Sequence, residues 1–234
     1  MKTFGRIAAL AIVASLIALL GVPAATAVGG GGNGRTYSVT VTNVTDNQIL
    51  TPPAFAAHTA RADLFDVGAP ASPFIQEIAE NGNLAPLVGA LKTAKGVQAS
   101  GVGSGGVEGP LFAGDSRTFE VKAPGYARLF STAQMVVCTN DGFTGLDSVQ
   151  FPRKKGQTVR VYVYAWDAGT ETNTNNLDDF VPPCSGETTG TGMSNPALAE
   201  GGVIAPHPGL TGEVANTFGF YPDAAVAIYE ISRV

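Results

Sequence analysis

The chain has 234 residues, of which 44% are hydrophobic and only 14% are charged, and its formal net charge at pH 7 is -5. An acidic chain without clusters of basic residues is a poor candidate for binding nucleic acid or anionic membranes, because both attract proteins through phosphate charge. The length is sufficient for one well-buried domain. These quantities favour a single globular domain whose partner is neither nucleic acid nor a membrane.

The first 27 residues have the three-part pattern of a secretory signal peptide. Two basic residues precede an apolar run over about 7–22, and the small residues Ala25 and Ala27 follow. An uncleaved membrane anchor is the alternative, but it needs about 20 apolar residues, more than this run contains. We therefore predict a signal peptide at 1–27. The mature protein is then secreted (extracellular, periplasmic or associated with the cell surface), with no transmembrane segment after cleavage.

The rest of the chain is predicted to be a flexible glycine-rich leader at 28–34, followed by one domain at 35–234. In "RTYSVTVTNVT" apolar and polar residues alternate with the period of two that is typical of a half-buried strand. Further strand candidates follow at 116–123, 127–137, 158–166, 216–221 and 224–231. This pattern predicts an all-β fold, an antiparallel β-sandwich with one or two short helices.

Two segments depart from the strand pattern and are predicted to be helical. In "SPFIQEIAENG" Ser72 suits the N-cap, Pro73 suits the first helical position, and Gly82 suits the position after the end. "LAPLVGALKTA" is the candidate for a second short helix. The segment 95–109 is dense in glycine and is predicted to be a long mobile loop, and "LTPPAFAAH" is interpreted as a proline-rich turn.

The sequence contains two cysteines, Cys138 and Cys184. In an exported protein an even number of cysteines favours a disulfide, and closing a loop of roughly 45 residues contributes about 4 kcal/mol of stability. A nucleophilic thiol is the alternative. It needs a nearby base, and His58 and His207 are both distant in sequence. We predict a disulfide between the two cysteines.

One strand exit gathers an unusual number of carboxylates for a chain with few charges. The segment "YAWDAGTETNTNNLDD" contains Asp167, Glu171, Asp178 and Asp179. A solvated, turn-rich loop is one interpretation, because Asp and Asn favour loops. A site for a divalent cation is the other, because carboxylates brought close together repel without a counter-ion. The absence of a His or Cys cluster argues against zinc.

Four segments of the sequence, taken together and in order, resemble the spondin N-terminal domain, which occurs in animal matrix proteins of the F-spondin and mindin type and in exported single-domain microbial proteins. The segments are "YSVTVTNVTDNQILTPPAFAAHT", "LFDVGAPASPFIQEIAENGN", "AQMVVCTNDGFTGLDSV" and "YAWDAGTETN". The resemblance implies a β-sandwich like that of C2 modules. It also implies a calcium ion held by loops at one end of the sandwich.

The same resemblance assigns the calcium ligands to individual positions. It implies Asp141 in "TNDGF", ahead of the "GLDS" segment, and Asp167 and Glu171 in the turn "DAGTE". Glu171 stands where the animal relatives are expected to have Asp, so its longer side chain would reach the ion differently. Asp147 is interpreted mainly as a structural residue, and Asp178 and Asp179 as solvated ones.

These observations favour a secreted, calcium-binding, non-enzymatic adhesion or recognition module that contacts a glycan, a matrix component or a cell-surface protein. A calcium-dependent extracellular hydrolase is the first alternative, because glycosidases also use paired carboxylates about 5–9.5 Å apart. A structural envelope protein is the second. His58 is interpreted as a packed or hydrogen-bonding residue, since the sequence offers no evident partner nucleophile and no G-x-S-x-G motif.

Overall fold

A computed structural model describes residues 34–184 and 195–234, so the predicted signal peptide and nearly all of the leader lie outside the described residues. The strands are β1 (Gly34–Asn43), β2 (Ala54–His58), β3 (Val97–Val102), β4 (Ser116–Pro124), β5 (Leu129–Met135), β6 (Gly142–Thr144), β7 (Val149–Gln150), β8 (Thr158–Val163), β9 (Ala165–Asp167), β10 (Ala205–Pro206) and β11 (Ala227–Arg233). The α-helices are α1 (Pro73–Asn81), α2 (Ala85–Leu91) and α3 (Gly212–Phe218), and short 3-10 helices cover Leu177–Asp179 and Pro196–Leu198.

The strands form two antiparallel sheets that pack as a sandwich, which confirms the predicted fold class. One sheet has four strands in the order β4-β1-β11-β8. The other has seven strands, in the order β10-β9-β6-β5-β2-β3, with β7 paired to β5. In the described part of the chain, no helix is both long enough and apolar enough to cross a membrane.

The main core lies between the two sheets. The alternating residues of β1 supply Tyr37, Val39 and Val41, all buried, while their neighbours Ser38 and Thr40 lie on the partly exposed face. Phe130 faces them from β5 of the other sheet, and Tyr229 lies beside Val41 on the neighbouring strand β11, all within the same apolar cluster. The period of two in this sequence therefore corresponds directly to one buried and one partly solvated face of the sheet.

A second core lies on the other face of the seven-stranded sheet, where helices cover it. Ile75 and Ile78 of α1 and Leu87 of α2 pack there with Ala56 and Met135 of the sheet. The predicted cap signals of α1 are confirmed in detail. The Ser72 hydroxyl accepts a hydrogen bond from the amide of Ile75 at 3.3 Å, and Gly82 ends the helix with φ at 64°.

The sequence interpretation missed β2, which lies in the segment taken for a proline-rich turn. All five residues of β2 are buried, because Phe55 and Ala57 face the core between the sheets while Ala54 and Ala56 face the core under the helices. A strand buried on both faces has no polar alternation, so its pattern cannot be distinguished from other short apolar runs.

Two further predictions were wrong for part of their residues. The segment 95–109, predicted as a mobile loop, contains β3, which pairs with β2. One of its glycines is needed for packing, since a side chain at Gly103 would collide with the ring of Phe119. The strand predicted at 216–221 falls partly in α3. Gly219 caps the C-terminus of that helix, and its amide donates a hydrogen bond to the carbonyl of Ala215.

Candidate metal centre

Pairing of two short strands brings the predicted ligands Asp141 and Asp167 together at one end of the sandwich. Asp141 directly precedes β6, Asp167 ends β9, and the register of these antiparallel strands places Gly142 opposite Asp167. The amide of Ala168 also donates to the Asp141 carbonyl at 3.1 Å. The two acidic loops thus open at the same end, because the start of one strand in an antiparallel pair lies beside the end of the other.

The Asp141 carboxylate is fully buried, and its two oxygens differ in their environment. Oδ2 accepts hydrogen bonds from the amide of Thr170 at 2.7 Å, from the Thr170 hydroxyl at 3.1 Å and from the amide of Glu171 at 3.0 Å. Oδ1 is buried and has no hydrogen-bond partner among the described residues. Burial, followed by the negative charge of Asp167, raises the pKa of Asp141 to about 6.

Asp167 is held in place by its own turn. Its Oδ1 accepts a hydrogen bond from the amide of Gly169 at 2.7 Å, and its Oδ2 accepts one from the side-chain amide of Asn173. The Asn173 amide oxygen is also buried without a partner in the described residues. Gly169 has φ at 68°, and its α-carbon lies so close to the 202–203 backbone that a side chain would not fit.

Glu171 lies on the same turn and is almost completely buried. Its Oε1 accepts a hydrogen bond from the amide of Asn195 at 2.6 Å. Burial raises the pKa of Glu171 to about 7, and the carboxylates of Glu80, Asp141 and Asp179 add to that rise. Glu80 of α1 is itself 2% exposed, so the structure adds a carboxylate that sequence reasoning did not include.

A buried histidine borders the same centre. Burial lowers the pKa of His207 to about 4, against the opposing influence of Asp167, so the imidazole is neutral at pH 7. Its Nδ1 accepts a hydrogen bond from the amide of Gly209 at 3.0 Å, and its Nε2 has no partner among the described residues. A neutral imidazole does not balance the negative charge of the carboxylates.

Among the described residues, no basic side chain pairs with these carboxylates either. Within residues 34–184 and 195–234, the ion pairs are those of Lys122 with Glu120 and of Arg160 with Glu230, both on the surface of the four-stranded sheet. As the side chains stand, no three acidic, imidazole or thiol groups of the described chain converge on one point. Their oxygens instead accept hydrogen bonds, chiefly from backbone amides of the turn and of Asn195.

The donor set nevertheless fits a hard divalent cation such as calcium. Calcium takes six to eight oxygens at about 2.3–2.6 Å and mixes carboxylates with amide and backbone oxygens and water. The centre offers two carboxylates side by side, a third on the adjacent turn, and two buried oxygens without partners, those of Asp141 Oδ1 and Asn173 Oδ1. Buried polar atoms are rarely left unsatisfied, so these two oxygens require an explanation.

The other predicted residues divide into structural and peripheral ones. Cys138 and Cys184 form the predicted disulfide, with α-carbons 5.3 Å apart. Asp147 and Asp178 are exposed. Asp147 lies in the loop between β6 and β7, away from Asp141, whereas Asp179 is close enough to influence Glu171.

The part of the chain that contains this centre matches a known protein family. The family model described as Spondin_N matches residues 51–180. The chain belongs to the spondin N-terminal domain family. No curated protein matches the chain significantly. The matched range of this spondin domain includes Asp141, Asp167 and Glu171.

Family membership bears on the hydrolase alternative, because the spondin N-terminal domain is a non-enzymatic, extracellular adhesion and recognition domain. The structure does pair His58 with a hydroxyl that the sequence did not reveal. The imidazole Nε2 lies 2.8 Å from Ser131 Oγ, and the opposite nitrogen lies 2.9 Å from the carbonyl of Thr59. Both side chains are 0% exposed, so the pair packs the core and confirms the structural interpretation of His58.

The raised pKa values predict how pH acts on the calcium-free domain. Between about pH 4 and pH 7 the folded chain holds protons on Asp141 and Glu171 that the unfolded chain has released, so these two groups lower stability as pH rises. His207 acts in the opposite direction between about pH 4 and pH 6.5, because its pKa is lowered by folding. The contribution of one carboxyl is therefore best measured as the difference in stability between the wild type and a variant that lacks this carboxyl.

We expect Asp141→Asn, without calcium, to gain stability relative to the wild type as pH rises from about 4.5 to 7.5. The neutral amide avoids the cost of an uncompensated buried charge, which the wild type bears increasingly over this range. Thermal unfolding of both chains in EDTA at several pH values measures the difference. Asp147→Asn, at an exposed position, is the control. A difference for Asp141→Asn that does not change with pH would contradict the assignment.

Proposed function

We propose that this spondin domain is a secreted, calcium-binding, non-enzymatic module that contacts a glycan, a matrix component or a cell-surface protein. Membership of an extracellular adhesion and recognition family supports the role outside the cell. The signal-peptide pattern of residues 1–27 supports export. The cluster of buried carboxylates at one end of the sandwich supports calcium binding.

The observation that carries the calcium proposal is the state of Asp141. Its carboxylate is completely buried, has Asp167 as a neighbour of like charge, and keeps one oxygen free of hydrogen bonds. A buried carboxylate is normally paired, hydrogen-bonded on both oxygens or bound to a metal. Because no ammonium or guanidinium of the described residues pairs with it, a metal ion is the partner that best explains this group.

Asp141 and Asp167 would hold the ion, and Glu171 would be the third carboxylate. Calcium, when bound, would supply the positive charge that the centre lacks. The chain itself positions these groups: Thr170 orients Asp141, and the amide of Gly169 orients Asp167. The Oε1 of Glu171 is already bonded to Asn195, which leaves its second oxygen for the ion.

Replacing Asp167 and Asp179 separately by Asn tests this ligand assignment. We expect Asp167→Asn to weaken calcium binding about 100-fold or more, and Asp179→Asn to weaken it much less. Changes to residues that only contact a metal ligand already weaken binding about 10- to 100-fold, so loss of a ligand should have at least the larger effect. Unfolding temperatures in EDTA and in a calcium series report the affinity, since a ligand at 100 times its Kd adds about 2.7 kcal/mol. Equal losses in the two variants would contradict the assignment.

Recognition is tested separately from calcium binding. We expect the purified chain to bind saturably to at least one immobilised extracellular polysaccharide or matrix protein. Binding is measured with calcium and with EDTA, and the disulfide-linked, folded state is verified in each case. If the chain binds none of them, with or without calcium, the recognition role is contradicted, whereas the proposed calcium site is not affected by that result.

A further inference from the structure

Three arginines surround one cavity at the end of the sandwich opposite the cluster of Asp141, Asp167 and Glu171, which we call the acidic centre. Arg35, Arg128 and Arg153 line it together with Gln150 and two buried rings, and its volume is about 130 Å³. The two rings are those of Tyr37 and Phe151, which stack with centroids 4.0 Å apart. We call this feature the arginine cavity. It is large enough for one small oxyanion group and the atoms attached to it.

The fold, rather than a sequence motif, brings these arginines together. Arg35 lies near the start of β1, Arg128 directly precedes β5, and Arg153 lies in the loop between β7 and β8. The Arg35 guanidinium packs against Gly125, where a β-carbon would lie 3.3 Å from three of its atoms. A side chain at position 125 would therefore have to displace this guanidinium slightly.

The backbone around the cavity is also fixed. The carbonyl of Arg128 accepts a hydrogen bond from the amide of Phe151 at 2.9 Å. The carbonyl of Arg153 accepts one from the guanidinium of Arg233, and the amide of Arg153 donates to the side chain of Gln157 at 3.2 Å. The arginines therefore extend from an ordered frame, although the side chains of Arg128 and Arg153 are themselves exposed.

None of the three guanidinium groups has a carboxylate within 4.0 Å in the described part of the chain, whose two ion pairs lie elsewhere. Three positive charges around one small cavity repel each other, which is unusual in a chain with a net charge of -5. Guanidinium groups bind carboxylate, sulfate and phosphate oxygens through paired hydrogen bonds. The arrangement therefore suits an external anion that supplies the missing negative charge.

A second cavity continues from the first and argues for a ligand longer than a single ion. Its volume is about 380 Å³, and it shares Gln150, Phe151 and Arg153 with the arginine cavity. It adds Gln157, Lys154, Pro152 and Val159 to the lining, and the Oε1 of Gln157 already accepts hydrogen bonds from the amides of Arg153 and Lys154. Side-chain amides beside apolar surfaces match the hydroxyls and the carbon faces of a sugar ring.

We propose that the arginine cavity binds a carboxylate or sulfate group of an acidic polysaccharide, with the next sugar of the chain in the adjoining cavity. This inference rests on the proposed recognition function and names the class of its partner. It also revises the expectation from composition, because an acidic sequence with only the short basic run 153–155 folds to give a concentrated basic end.

The two sites are separated along the length of the sandwich, so they are independent. Arg128 precedes β5 and Asp141 lies beyond its other end. Seven residues of strand at about 3.3 Å each place them on the order of 20 Å apart. Binding of the polysaccharide is therefore expected to persist in EDTA and in Asp167→Asn. That persistence makes failure of this inference distinguishable from failure of the calcium site.

The test is calorimetric titration of the purified chain, in EDTA, with an oligogalacturonate, a sulfated dextran oligosaccharide and a neutral dextran oligosaccharide. We expect saturable binding of at least one acidic oligomer and none of the neutral one. Arg128→Gln and Arg153→Gln should each weaken binding about 10-fold, and together about 100-fold. Lys122→Gln is the matched control, because it removes the same charge from an exposed side chain outside the cavity.

Several outcomes would overturn the inference. They are no binding of either acidic oligomer, equal binding of the neutral one, an unaffected double variant, and an equal loss in Lys122→Gln. Inorganic sulfate binding as tightly as the oligomers would reduce the cavity to a site for a free ion. Tighter, arginine-dependent binding of single-stranded DNA or of anionic vesicles would overturn the choice of partner. Unfolding temperatures of every variant verify that lost binding is not lost folding.

Discussion

Replacing both Cys138 and Cys184 by Ala is expected to lower the free energy of unfolding by about 4 kcal/mol. The disulfide closes a loop between positions 46 residues apart, and a cross-link of that span restricts the unfolded chain by this amount on the chain-entropy account. The loop encloses Asp141, Asp167 and Glu171, so the bond also ties together the segments that form the acidic centre. For a domain of this size the loss corresponds to a fall in unfolding temperature of roughly 8–16 °C.

Chemical denaturation of the double variant beside the wild type measures this effect. Reduction of the wild-type disulfide is the matched control, because it removes the same cross-link without changing the side-chain volume in the core. We expect the reduced wild type and the double variant to agree within about 1 kcal/mol. A loss below about 1 kcal/mol in both would show that the bond contributes little to the stability of this fold.

Gly169→Ala, in the acidic turn 167–171, is expected to cost more stability than Gly156→Ala at a glycine outside that turn. Gly169 has φ at 68°, a conformation that costs a residue with a β-carbon about 1–2 kcal/mol. In addition, the new β-carbon would lie 2.6 Å from the amide nitrogen of Val203 and 2.7 Å from its carbonyl oxygen. Relief of that contact displaces the turn that carries Asp167 and Glu171, so calcium affinity should fall together with stability.

Gly156→Ala separates the two causes. Gly156 has φ at 79°, but a β-carbon there meets no atom within 4 Å. Both variants therefore share the conformational cost, and only Gly169→Ala adds a collision with backbone, for which overpacking costs of about 1–3 kcal/mol are typical. Equal destabilisation of the two, with calcium affinity intact in Gly169→Ala, would contradict the role assigned to this turn.

The parts of the fold that could be predicted from sequence are those specified by local chemistry. Ser72, Pro73 and Gly82 mark the two ends of α1 because each satisfies a requirement of a helix terminus that does not depend on the rest of the molecule. The alternation in β1 was likewise readable, because one face of that strand meets the core and the other meets solvent.

The errors lie where tertiary packing overrides the local pattern. β2 has no alternation because a second layer of helices covers its other face, a fact that the five residues of the strand do not encode. The glycines near β3 suggested mobility, whereas Gly103 is small because the ring of Phe119 occupies the adjacent space. Neither environment can be inferred from a short window of sequence.

The functional residues show the same division. Asp141, Asp167 and Glu171 were assigned through the family resemblance, and the fold does place them at one end of the sandwich, whereas their role as ligands stays a prediction. Glu80 was missed because a lone carboxylate on a helix gives no sign that it will be buried. The arginine cavity was missed because its members are contributed by three separate parts of the chain.

Calorimetric titration of the calcium-free chain with calcium chloride is the decisive test of the calcium site. We expect saturable binding close to one ion per chain, because one buried carboxylate pair and its neighbouring oxygens form one centre. We expect Asp167→Asn to weaken this binding about 100-fold or more. No heat of binding up to millimolar calcium in the folded wild type would contradict calcium binding, and the turn 167–171 would then be a hydrogen-bonded structural element.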